Sequence, residues 1–128
     1  MTNREPDAQG APLRAYTDPA YRPLCATLAE VRANIDRLDE EIVKLIAERA
    51  MYVKDAARFK RDAFQVSAPA RQAQVYDKAR RLAVTHNRGF ANLEQVVDAT
   101  YRAMVAAFIA NEQTYFDTMQ DLGGDTHA

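Results

Sequence analysis

The feature that most constrains this chain is an apolar stripe repeating in alternating steps of three and four residues. It runs Leu28, Val31, Ile35, Leu38, Ile42, Leu45, then Arg49, then Tyr52, Ala56 and Phe59. Such spacing is the seam of a coiled-coil-like helix. Thr27 is a suitable N-cap, and Glu30 three residues on completes a capping box. The predicted helix has about 33 residues and is roughly 50 Å long at 1.5 Å per residue. That exceeds what one 128-residue chain covers with its own core, so a homodimer is expected.

The rest of the chain also reads as helix. A joint is expected at about residues 62–68. Ser67 is read as the cap of a second helix from Pro69 to Thr85, with Val75, Tyr76, Ala79 and Leu82 facing inward. The run His86-Asn87-Arg88-Gly89 is a stop signal. A third helix is predicted from Asn92 to Met119, carrying Leu93, Val97, Tyr101, Val105, Phe108, Ile109 and Phe116. No alternating strand pattern occurs. The expected fold is therefore all-α, a three-helix chain with a long first helix. Residues 1–24 hold four of the five prolines and read as a disordered tail. Residues 25–119 form one helical domain, and residues 120–128 are expected to fray.

Composition excludes several classes. The formal net charge is −1, which argues against a nucleic-acid binder. The single cysteine, Cys25, forms no internal disulfide, and the charged N-terminus lacks a secretory apolar core. No run approaches the roughly 18 apolar residues of a membrane span. A cytoplasmic protein without membrane association is expected. His86 falls in a helix stop and His127 in the C-terminal tail, so neither reads as a general base. No metal-spaced cluster and no nucleophile–base set is present, and no cofactor is expected.

The informative residues are polar side chains on apolar faces. Arg49 stands where the seam calls for an apolar residue, five helical turns after Val31. A buried cation is costly unless paired. Arg49 therefore either reaches solvent, meets a carboxylate of another helix, or binds an anionic ligand. Lys60 follows 11 residues later. An unbroken helix would put it about 20° from the same face and about 16 Å along the axis, so that the two heads clasp a small dianion. Arg32 precedes Arg49 by 17 residues, about 25 Å along a helix; only in an antiparallel dimer would it serve the partner's site. Gln113 lies on the Val105–Ile109–Phe116 side of the third helix, where a buried amide needs a partner. Arg71 and Gln72 occupy the positive first turn of the second helix. Each of these has a plain alternative as a solvated surface residue.

Taken together, these residues match a known pattern. The run LAEVRANIDRLDEEIVKLIAERAMYVKDAARFK resembles the first helix of the all-helical (AroQ-type) chorismate mutases. The string YVKDAARFK is similar to the related isochorismate-pyruvate lyases. The similarity continues through SAPARQAQV to IANEQTYF, about residues 25–117. The resemblance implies an intertwined homodimer with two equivalent sites for a small dicarboxylate. Arg32 from the partner chain would bind one carboxylate and Arg49 the other. Lys60 and Gln113 would face the ether oxygen of the enolpyruvyl group, and Arg71 would add positive charge. Three positions depart from the mutase pattern: Ala68 replaces an Asp, Gln72 a Glu that contacts the ring hydroxyl, and Ile109 a Ser. Ala68 and Ile109 are lyase-like, whereas Gln72 keeps a polar group and leans towards mutase. The implied activity is rearrangement of chorismate to prephenate, within aromatic amino acid biosynthesis. The alternative is isochorismate-pyruvate lyase, which would serve salicylate formation. A non-catalytic helical dimer or regulatory module is the reading from another class.

Overall fold

A computed structural model describes residues 4–123. The chain is all-helical, with no strand among the described residues. Helix α1 spans Leu28–Ala56, α2 Ala63–Ser67, α3 Pro69–His86 and α4 Leu93–Thr118; a 3-10 turn, Ala57–Phe59, follows α1. The chain divides into two compact units between Ala47 and Glu48, within α1. No helix of the described residues is long and apolar enough to cross a membrane.

In the first unit, α1 opens on a reciprocal capping box. The Thr27 Oγ1 accepts from the Glu30 N–H at 3.2 Å, and the Glu30 carboxylate accepts from the Thr27 N–H at 3.0 Å. The preceding segment is tied to the helix by a bond from the Ala29 N–H to the Ala8 carbonyl, 2.9 Å. The seam is uncovered: Ile35, Leu38, Ile42 and Leu45 are 46–63 % exposed, and α1 buries none of its residues. The end of the expected C-terminal tail, with Gly124 and His127, lies outside the described residues.

The second unit builds its core by packing α3 against α4, with α2 and the 3-10 turn on α4. Ala79 and Ala83 are buried and let the two long helices approach closely, around Tyr76 and Val105. Leu82, read as inward-facing, is instead 45 % exposed; the alanine ridge takes the packing surface one position further on, at Ala83. Asn87 closes the α3–α4 connection. Its side chain donates to the Phe90 carbonyl and accepts from the Gly89 and Phe90 N–H groups. Gly89 sits at φ +102°, where a side chain would be strained.

Two expectations need correction. The first helix ends four residues before Lys60, which follows the 3-10 turn in extended backbone, φ −100°, ψ 144°. The 62–68 joint contains the helical turn α2. Asp62 caps it by accepting from the Gln65 N–H at 2.9 Å. Ser67 is the last residue of α2 and not the cap of α3. That place falls to Ala68, which is in the left-handed conformation, φ 47°, ψ 62°, and offers no side-chain bond. A non-glycine residue there costs about 1–2 kcal/mol, so the surrounding packing must hold the joint.

Asp98 on α4 ties the two long helices together. It accepts from Arg102 on its own helix at 2.8 Å and from Arg80 on α3 at 2.7 Å. The Arg102 guanidinium, joined by Arg80, holds its carboxyl below the ordinary value of 3.8. A depressed carboxyl stabilises the fold above the unfolded value and loses that contribution as pH falls through the folded one. Asp98→Asn should therefore lower the melting temperature at neutral pH. The gap to wild type should close as pH falls below 3.8. Thermal melts across pH check this, and a gap constant with pH would show that the carboxylate charge is not what binds α3 to α4.

Candidate active site

The second unit encloses a pocket of about 300 Å³. Its walls come from the end of α1, the α2–α3 joint and one face of α4. Val53, Val66, Val75, Val105, Phe108 and Ile109 supply an apolar lining. Its polar groups are Arg49, Lys60, Ser67, Arg71, Gln72 and Glu112. A mostly apolar cleft with a few converging polar groups is the usual form of a small-molecule site.

Arg49 projects from the last two turns of α1, with its guanidinium 5.3 Å from the centre of the Phe108 ring. It has no ion pair or hydrogen bond to protein among the described residues. Arg71, exposed in the first turn of α3, donates to the neutral Gln74 amide oxygen at 3.4 Å. Two cations thus face the pocket without a carboxylate partner among the described residues, and the positive end of α3 adds to their field. Such a cavity favours a small anion.

Lys60 reaches the pocket by the break in the helix rather than by helical phase. Its Nζ lies 2.9 Å from Oε2 of Glu112, whose side chain is 5 % exposed. The pair joins the turn after α1 to α4. Glu112 escaped the sequence reading, although a signal existed. It stands seven residues after Val105 and four after Phe108, so it shares their face more closely than Gln113 does. Gln113, the residue expected to face the ligand, is not among those lining this pocket. Its amide donates to the Ala63 carbonyl at 2.9 Å and so fastens α4 to α2.

Gln72 lines the pocket with its carboxamide already engaged. Its Nε2 donates to the Ser67 carbonyl at 2.7 Å and lies 3.4 Å from the Ser67 Oγ, while its Oε1 accepts from the Tyr76 hydroxyl at 3.2 Å. Ser67 and Tyr76 were not singled out as site residues: the Ser67 bond crosses the Ala68 reversal, and Tyr76, four residues after Gln72 on α3, reads as an inward-facing core residue. Arg32 is an exposed residue of the first unit without an ion pair among the described residues.

The second unit thus defines a helical protein with a cationic, largely apolar pocket for a small anion. The chain belongs to the chorismate mutase type II family, whose model matches residues 31–113. Among curated relatives, a chorismate mutase of Methanocaldococcus jannaschii is 43 % identical over 61 residues, 47 % of this chain and 62 % of that protein. An isochorismate pyruvate lyase of Pseudomonas aeruginosa is 41 % identical over 59 residues, 46 % of this chain and 58 % of that protein. A bifunctional chorismate mutase/prephenate dehydratase of Aquifex aeolicus is 33 % identical over 87 residues, 67 % of this chain but 24 % of its own length. In each case the match spans less than two thirds of the relative.

Because Arg49 has no anionic partner among the described residues, removing it should affect ligand more than fold. Arg49→Ala should change unfolding free energy by no more than about 1 kcal/mol, the scale of its contact with Phe108. It should weaken binding of a small dicarboxylate at least about tenfold, the scale of one charge-assisted bond. Urea unfolding and titration calorimetry measure the two. A variant that unfolds, or one that binds as wild type, would make Arg49 structural.

Proposed function

We propose that the protein is a chorismate mutase, converting chorismate to prephenate in this pocket. The observation that carries the reading is the meeting of Arg49, Lys60, Arg71 and buried Glu112 in one apolar cavity of the second unit. Membership of the family and the Methanocaldococcus relative support it. In this rearrangement one C–O bond breaks and one C–C bond forms within a single molecule. No proton, electron or second reactant enters the balance. The protein's task is to fold a flexible dianion into its reactive conformer and to stabilise charge growing on the ether oxygen.

In this reading Arg49 holds one substrate carboxylate, with Arg71 adding to the positive field. Lys60 donates to the ether oxygen, where its bond strengthens as the C–O bond breaks. Gln113 was the expected second donor, but its amide is bonded to the Ala63 carbonyl; Glu112 holds Lys60 in position through their 2.9 Å ion pair. Arg32, delivered from the partner chain of a homodimer, completes the grip on the second carboxylate. The uncovered seam of α1 is the surface such a partner would bury.

A second reading, isochorismate-pyruvate lyase, is favoured by Ala68 and Ile109 on the pocket wall and by the Pseudomonas relative. There a ring hydrogen passes to the enolpyruvyl carbon as the C–O bond breaks, giving salicylate and pyruvate. The experiment is to supply purified protein with chorismate and isochorismate separately and to follow prephenate and salicylate. Prephenate as the main product is expected. Salicylate formed faster from isochorismate would replace the reading with the lyase, and no turnover of either would overturn both.

A further outcome concerns the assembly. Light scattering at micromolar concentration should give twice the chain mass. A monomer that still turns over substrate would sink both the dimer and the role of Arg32 in it.

A further inference from the structure

Gln72 is a polar residue of the pocket with both ends of its amide engaged. Its neighbour Ser67 offers a carbonyl, which only accepts, so the atom 2.7 Å from that carbonyl must be the amide nitrogen. The orientation of the amide is thereby assigned by its surroundings. Nε2 donates to the Ser67 carbonyl and lies 3.4 Å from the hydroxyl oxygen of the same residue. One lone pair of Oε1 takes the Tyr76 hydroxyl at 3.2 Å. As an acceptor Gln72 offers a ligand its second Oε1 lone pair, beside the hydroxyl of Ser67, which also lines the pocket.

Tyr76 is itself held. It is 9 % exposed, and its ring lies 4.4 Å beneath the Arg102 guanidinium, which pairs with Asp98 at 2.8 Å. It lines a smaller cavity on which Gln72 also borders, and is not among the residues lining the main pocket. It therefore touches no ligand in the main pocket and acts only through the amide it anchors.

We infer that Tyr76 is a positioning residue that fixes the Gln72 amide as an acceptor for a hydroxyl group on the substrate ring. The inference rests on the proposed mutase reading, and it deepens it. Ser67 and Gln72 form one hydroxyl-reading wall, with Gln72 accepting the ring hydroxyl's proton and Ser67 available to either end. Without the Tyr76 hydroxyl, the amide keeps its tie to Ser67 but loses the bond that orients its oxygen.

The test compares wild type and Tyr76→Phe on chorismate and on the analogue of chorismate lacking the ring hydroxyl. Phenylalanine keeps the ring under Arg102 and removes only the O–H. Wild type should prefer chorismate over the analogue in kcat/KM by about tenfold, the scale of one neutral hydrogen bond. In Tyr76→Phe that preference should fall towards unity. The loss should come from chorismate alone, mainly in KM, while turnover of the analogue stays near wild type. Gln72→Leu added to Tyr76→Phe should lower the preference little further, because the two residues act through one bond. A merely structural role would lower both substrates in equal proportion, and that result overturns the inference while leaving the mutase reading intact. If wild type converts neither substrate, the mutase reading fails and the inference falls with it.

Discussion

The arrangement of the second unit depends on one contact, the ion pair between Lys60 and Glu112. Taking a carboxylate out of water is expensive, and a buried one persists only with a close, well-aligned partner. Helix α4 delivers Glu112 to the centre of its packed face, beside Val105 and Phe108. The cation that meets it cannot come from a continuous α1; it comes because the chain leaves helical geometry at Ala57 and turns extended at Lys60. The 3-10 turn, the short α2 and the α3 joint then follow in close order around the same cavity. Removing Lys60 would strand the Glu112 carboxylate inside, at a cost of about 3–5 kcal/mol. The same pair keeps Lys60 in place while no ligand occupies the pocket.

Much of the fold was legible from the sequence, and for identifiable reasons. Thr27 and Glu30 form the reciprocal cap that their spacing implies. Pro69 begins α3, Asn87 and Gly89 end it, and the apolar periodicity of α4 fixes its span to within a residue at either end. What escaped were features without periodicity. The stripe through Phe59 reads as helix because side-chain spacing does not register a 3-10 turn. Ala68 carries no hint of a left-handed backbone, since glycine or asparagine is the usual resident of that conformation. For the pocket, Arg49 announced itself as a charge on an apolar seam. Lys60 lines the pocket, though by the break after α1 and not by helical phase. Gln113 drew notice on the face of α4 and Glu112 did not, because the partner of Glu112 is Lys60, from a distant turn that no local pattern discloses.

The pocket's composition suits a reaction that asks little of the protein in covalent terms. A pericyclic rearrangement needs neither nucleophile nor leaving-group proton, so the proposed mechanism draws on shape and charge alone. The apolar walls from α1, α3 and α4 lower the local dielectric, which strengthens each electrostatic contact. The division of labour is spatial. Cations sit at the ends of the cavity's elements, Arg49 near the close of α1 and Arg71 at the opening of α3. The neutral amide of Gln72 is held between Ser67 and Tyr76, where it can distinguish one hydroxyl from none.

The single-residue joint at Ala68 has a consequence for how this chain can vary in length. Helices α2 and α3 meet with no linker between them, so their relative phase is set by one left-handed residue. An inserted or deleted residue there would rotate everything downstream by about 100°. That rotation would carry Gln72 off Ser67 and Arg71 off the cavity wall while leaving each helix individually sound. The Asn87–Asn92 connection is under no such restraint, because it lies at the far end of α3 and presents no pocket residue. Length differences among chains with this architecture should therefore collect between α3 and α4 and be rare between α2 and α3, a pattern imposed by helical phase rather than by the chemistry of any one side chain.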